Sequence, residues 1–291
     1  MKIDNRSLSK QPDHYQVRSM TRLELDLAVE WADREGWNPG LNDADVFFKT
    51  DPQGFMVGCL DGRPIGCISV VSYGNTFGFI GFYIVHPDYR GHGYGIQLWK
   101  AAVSRLQGQV IGLDGVVAQQ DNYEKSGFKL ACNNIRYEGK AVPMATAIKT
   151  SPAANVSFEA LAAYDRQCFP AERSVFLKAW ISAPGTTSLA VINGDGLFGY
   201  GAVRPCRTGF KIGPLFADNA AVAEVLLADL ITGIPVGNSF FLDVPGTNPA
   251  AVSLAEKYGM QPVFETARMY MGEVPRMQKE KMFGITTFEL G

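Results

Sequence analysis

The chain has 291 residues, of which 46% are hydrophobic and 19% charged, and its formal net charge is −2. That length suits one large domain or two of ordinary size, the composition can build a core, and the charge gives no global case for binding nucleic acid, although a local basic funnel for an anionic ligand stays open. No window approaches the ~18 consecutive apolar residues of a membrane span, and the opening MKIDNRSLSKQPDHYQV lacks a signal-type apolar run, so no membrane association and a cytoplasmic location are expected.

In chain order, Tyr15 to Arg18 predicts a short strand, and Thr21 with Glu24 three residues on predicts the capped start of a helix reaching about Glu35. The segment GWNPGLNDADVFFKTDPQG reads as turn-rich, either a substrate-facing loop or a plain surface connection. Phe55–Leu60 and Ile65–Tyr73, joined across Asp61-Gly62, predict a hairpin. Phe77 to Val85 is almost continuously apolar or glycine, as expected for a strand covered on both faces. His86-Pro87-Asp88 ends it. Trp99, Ala102, Val103 and Leu106 then recur at helical spacing, so a helix opens near Gly95.

Between strand and helix stands Arg90-Gly91-His92-Gly93-Tyr94-Gly95. Three glycines there let successive backbone N–H groups converge at a helix N-terminus, which favours a phosphate or pyrophosphate. Residues 109–117 predict a strand parallel to 77–85, since a crossover helix separates them. Gln119 to Ser126 predicts a helix ended by Gly127, and Phe128 starts a closing strand. The charge-poor segment 140–156 is where the domain boundary is expected, giving units 1–142 and 150–291.

The second half repeats this plan. Helical stretches lie between Phe158 and Trp180, broken near Phe169-Pro170, and strands are predicted at Leu189–Ile192, Gly199–Val203, Phe210–Phe216 and Phe240–Val244, with helices from Ala220 and Pro249. Glu124-Lys125-Ser126-Gly127-Phe128 matches Glu256-Lys257-Tyr258-Gly259-Met260, and Arg136 and Arg268 each follow their glycine by nine residues. The echo suggests two copies of one fold. The glycine turn has no counterpart after Phe216, and Tyr123 aligns with Ala255.

Five cysteines, Cys59, Cys67, Cys132, Cys168 and Cys206, include no C-x-x-C pair, and His14, His86 and His92 show no ligand spacing, so no metal is expected.

The first half, over roughly residues 15–139, resembles the GNAT superfamily of acyl-CoA N-acyltransferases. The R/Q-x-x-G-x-G/A pattern stands as Arg90 to Gly95, Val85-His86-Pro87 precedes it and Tyr123 to Phe128 follow. The second half, ending in GITTFELG, resembles a degenerate GNAT-like domain. The resemblance implies an α/β (α+β) fold of two GNAT-like domains, each a mixed, mostly antiparallel sheet flanked by helices with a splayed central parallel strand pair. It implies acetyl-CoA as co-substrate, with its pyrophosphate on the amides of Gly91, His92, Gly93, Tyr94 and Gly95 and with Arg90 adding charge. The strands would part after Val85, whose N–H would bond the thioester carbonyl, and Tyr123 would act as general acid toward the thiolate. Transfer to a primary amine would be direct, in a ternary complex, because no cysteine stands as an obvious acyl carrier.

Relatives often supply a carboxylate on the central strand as base, and residues 77–85 contain none. Asp45, Asp114, a water chain or a group from the second half stay open. A small-molecule amine is expected as acceptor over a protein, and nothing decides between monomer and homodimer. The second half is expected to wall the acceptor side, so that deletion from Ser151 onward would harm acceptor use more than acetyl-CoA binding. Two rivals stand beside this reading. A Rossmann-like NAD or S-adenosylmethionine site would use Asp114 after the next strand, but Ile96 occupies the place of the third glycine and the chain does not open as βαβ. A non-catalytic acyl-CoA-binding or regulatory module would explain the absent strand carboxylate.

Overall fold

The computed structural model describes residues 14–142, 149–194 and 196–291. In the first half the elements are β1 (Tyr15–Ser19), α1 (Arg22–Arg34), α2 (Asp43–Thr50), β2 (Phe55–Leu60), β3 (Arg63–Tyr73), β4 (Phe77–Val85), α3 (Tyr94–Arg105), β5 (Val110–Val116), α4 (Gln120–Lys125) and β6 (Lys129–Lys140). The second half adds β7 (Ser151–Pro152), α5 (Phe158–Cys168), α6 (Ser174–Ile181), β8 (Thr187–Asn193), β9 (Gly196–Pro205), β10 (Phe210–Ala217), α7 (Ala220–Thr232), β11 (Ser239–Pro245), α8 (Pro249–Lys257), β12 (Gln261–Met271) and β13 (Met282–Gly284). No helix among the described residues is long and apolar enough to cross a membrane.

Local chemistry accounts for the early elements. Thr21 and Glu24 form a reciprocal capping box at the start of α1. Asp61 and Gly62, at φ 47° and 78°, make the positive-φ turn that joins β2 to β3. The turn-rich reading of residues 36–54 is corrected by α2. This short helix draws on tertiary contacts that local pattern does not announce. The Asp43 carboxylate accepts from Arg204 of β9 at 2.8 and 3.2 Å, and Phe47 stacks on Trp180 of α6 at 6.1 Å.

All strands join one sheet in the order β1-β2-β3-β4-β5-β12-β6-β11-β10-β9-β8-β7, with β13 against β10. Each half therefore sends one long strand, β6 or β12, into the other. β12 pairs antiparallel with β5, β6 pairs antiparallel with β11, and β6 and β12 pair with each other. The exchange leaves no open strand edge where the halves meet. It also explains the repeated arginines. Arg268 on β12 sits opposite Asp114 on β5, and Arg136 on β6 sits opposite Asp243 on β11, each as a buried two-point ion pair.

Each half holds one parallel pair, β4 with β5 and β10 with β11, and in both the pairing stops early. In the second half β13 fills the opening beyond Ile212↔Leu242, lying against Leu215 and Phe216, and Ile285 N–H donates to Asp243 O at 2.9 Å. Residues 282–291 are all buried. The end of the chain thus closes the cleft of its own half and runs on into the first.

Candidate active site

The corresponding opening in the first half forms a cavity of about 590 Å³ between β4 and β5. The last parallel pair is Ile80↔Leu113, so the strands part five residues before Val85, where the sequence placed the split. A β-bulge is the cause. From Ser69↔Gly81 to Cys67↔Ile84, β4 spends one more residue than β3, and Phe82 takes φ 45° to absorb it. Such an extra residue bends the strand and raises its twist.

The bulge sets the direction of the amides beyond it. His86 N–H donates to Ile65 O at 2.8 Å, toward β3. Successive strand amides point to opposite sides, so the Val85 N–H points away from β3 and into the opening. The Val85 carbonyl, on the same side, accepts from Arg90 Nε at 2.8 Å. Arg90 Nη2 also contacts Glu35, so its charge is met by a carboxylate at the mouth of the cavity.

Gly91 and Gly93, at φ 80° and 82°, hold the left-handed conformation that shapes the turn. Gly93 is the N-cap of α3, and among the described residues no side chain caps the helix. Its first amides are therefore available to an anion, with the helix dipole adding to the attraction. Gly95 packs against β4, where an added Cβ would meet the Tyr83 hydroxyl at 2.7 Å. His92 Nδ1 lies 2.9 Å from Arg90 O, and Tyr94 O accepts from Tyr15 at 3.2 Å, so both brace the turn.

Tyr123 on α4 lines the cavity, its ring beside Trp99 at 5.5 Å. Burial pushes its phenol up to about 12, with Tyr83 adding a smaller rise. Burial also raises Tyr83, a second phenol on the wall that the apolar run of β4 concealed. Both stay protonated at neutral pH, the state a proton donor needs.

The structure separates the carboxylates left open by the sequence. Asp45 is exposed on the outer face of α2 and pairs with Arg22 at 2.7 Å, away from the cavity. Asp114 lines it, but its oxygens are held by Arg268 at 2.7 and 2.5 Å and by Asn134 at 2.8 Å. The second half supplies Phe264 and Thr266 from β12 and Phe288 and Glu289 from the terminal tail. Trp37 completes this wall, its carbonyl accepting from Arg136 at 2.8 Å and Lys211 at 2.9 Å. The sequence offered the segment holding Trp37 as one that could face substrate and left a group from the second half open, but it did not single out Phe264, Thr266, Phe288 or Glu289, which the strand exchange and the course of the tail bring there.

Comparison with known proteins gives the same architecture. Residues 17–128 match the family model described as "Acetyltransferase (GNAT) family", and residues 161–284 match the one described as "Acetyltransferase (GNAT) domain". The chain is 31% identical over 293 residues to a holothin acyltransferase of Pseudoalteromonas sp. (strain SANK 73390), covering 100% of this chain and 99% of that one. A Pyrococcus horikoshii protein assigned as an acetyltransferase superposes with a TM-score of 0.83 at 21% identity, covering 100% of both chains. A tandem GNAT protein from the clavulanic acid biosynthesis pathway superposes with a TM-score of 0.63 at 12% identity, over 90% of this chain and 100% of that one.

Proposed function

Because the chain belongs to the GNAT acetyltransferase family and carries two such domains, we propose that it transfers an acetyl group from acetyl-CoA directly to the primary amine of a small molecule. The observation that supports this most is the convergence on one cavity of the Val85 amide, the uncapped glycine turn of α3 and the Tyr123 phenol. In this reading the pyrophosphate rests on the amides of residues 91–95 and the helix N-terminus. The acyl carbonyl accepts from the Val85 N–H, which strengthens as charge develops on that oxygen. The amine nitrogen attacks the carbonyl carbon, the C–S bond breaks, and Tyr123 gives its proton to the departing thiolate.

The second half acts as a wall. Its own cleft is filled by β13 and the tail, and its turn from β10 into α7 is two residues without glycine, Asp218-Asn219, so one acyl-CoA per chain is expected. A small acceptor fits this reading, because Trp37, Phe264, Phe288 and Glu289 limit the far end of the cavity. The aromatic side chains favour an acceptor with an apolar body. The relative 31% identical to this chain is named for acyl transfer involving holothin. The test is incubation with acetyl-CoA and a panel of primary amines, reading free thiol and product mass. Acceptor-dependent thiol release supports the reading; acetyl-CoA binding with no transfer to any amine contradicts it and favours a non-catalytic module.

A further inference from the structure

We infer that the Glu289 carboxylate, brought into the first half's cleft by the end of the chain, receives the acceptor's ammonium group and takes its proton. The inference rests on the amine acyl transfer proposed above and names the base that β4 lacks. Glu289 is 3% exposed and lines the cavity. Its Oε2 is contacted by the Thr287 hydroxyl, while Oε1 is buried with no hydrogen-bond partner among the described residues. A buried carboxylate oxygen left unsatisfied is costly, and a ligand's N–H would satisfy it.

Its place in the fold is equally specific. The Glu289 carbonyl lies over Gly81, where an added Cβ would come within 2.2 Å of it, and accepts from Ser69 Oγ at 3.4 Å. Gly81 is the first residue of β4 past the last pairing with β5. The tail is thus seated at the apex of the opening, deeper along β4 than the Val85 amide. The other carboxylates on the cavity wall are committed, Asp114 to Arg268 and Glu35 to Arg90.

The charged groups packed around Glu289 leave it in this role. Arg136 on β6, Arg204 on β9 and Lys211 on β10 act on it electrostatically. Arg136 is bound to Asp243, Arg204 to Asp43, and Lys211 donates to the Trp37 carbonyl; none bonds Glu289. Tyr83 and Tyr123 face the same cavity as phenols. An alkylammonium near pKa ~10.4 is almost wholly protonated at neutral pH, so a proton must leave nitrogen before its lone pair can attack. Glu289 takes that proton and passes it to solvent. The amide nitrogen's second proton restores the Tyr123 phenolate after thiolate protonation, and the net reaction releases one proton.

The test compares wild type, Glu289→Gln and Glu289→Asp with acetyl-CoA and a panel of tryptamine, benzylamine and n-butylamine. Thiol release from pH 6.5 to 10 is read alongside acetyl-CoA affinity and melting temperature. Glu289→Gln should lose ~10²-fold or more in kcat near neutral pH with unchanged acetyl-CoA affinity, the scale of a general base. Its rate should rise about tenfold per pH unit as free amine accumulates, narrowing the gap to wild type. Glu289→Asp, which keeps the charge, should fold and recover part of kcat, and it carries the test if the glutamine variant does not fold. A glutamine variant with wild-type kcat, an aspartate variant indistinguishable from wild type, or a deficit that stays constant with pH overturns the assignment while leaving acyl transfer intact. Wild type inert toward the whole panel overturns the amine reading beneath it.

Discussion

Arg268 of β12 faces Asp114 of β5 across adjacent strands, with Nε to Oδ1 at 2.7 Å and Nη2 to Oδ2 at 2.5 Å, and so ties the exchanged strand of the second half to the fifth strand of the first. Both side chains are buried, so removing one partner strands the other's charge. Arg268→Met should cost ~3–5 kcal/mol by denaturant titration, and a double variant with Asp114→Leu should regain part of that loss.

The same exchange changes the expected outcome of truncation. Read from sequence, a chain ending before Ser151 keeps a complete first domain. In the sheet, that deletion removes β12 from β5 and β11 from β6, leaving two open edges in the interior of the structure. The truncated chain is expected to lack a cooperative thermal transition, and to give no reading of acceptor preference.

Much of the first half was legible because its signals are local. The capping box of α1, the Asp61-Gly62 turn and the glycine run before α3 each specify a backbone conformation within a few residues. The echo of Arg136 and Arg268 was also visible, but its meaning was not. Which strand an arginine faces depends on pairings more than a hundred residues apart, and antiparallel partners leave no periodic trace of one another. Glu289 was hidden for a related reason. A single acid in GITTFELG has no spacing to set against Tyr123, and only the course of the tail places it opposite.

Tyr123→Phe keeps the ring that packs on Trp99 and removes the phenol. Turnover should fall ~10²-fold or more with little change in acetyl-CoA affinity. Thiol release under saturating acetyl-CoA checks this. Equal turnover in both forms would assign the phenol to packing alone.

Phe288→Ala enlarges the end of the cavity proposed to take the acceptor while leaving the glycine turn untouched. Phe288 is 6% exposed beneath the Arg136 guanidinium, 4.8 Å from its ring centre. The substitution should cost ~3–5 kcal/mol of stability and raise the acceptor KM, with acetyl-CoA affinity unchanged. A rise confined to the acetyl-CoA KM would place Phe288 elsewhere in the reaction.

Lys211 gives stability a defined pH dependence. Burial, with a smaller effect from Arg136, pushes its ammonium down from 10.5 to about 8. Between those values the unfolded chain binds the proton more fully than the folded one, so this group makes stability rise with pH from about 8 toward 10.5. Below about 8 the folded state carries the full cost of the buried charge. Lys211→Met should therefore flatten the stability profile across that window, as measured by denaturant midpoint against pH. An unchanged slope would mean that Lys211 titrates as an ordinary lysine.

The central claim is a single acyl-CoA site per chain, built on the glycine turn of the first half. Calorimetric titration with acetyl-CoA tests it most directly, comparing wild type with a Gly91→Val/Gly93→Val variant whose turn cannot keep its left-handed backbone. The predicted result is one molecule bound per wild-type chain and loss of binding in the variant, with its melting temperature showing a folded protein. Two molecules per chain, or undiminished binding by the variant, would contradict it.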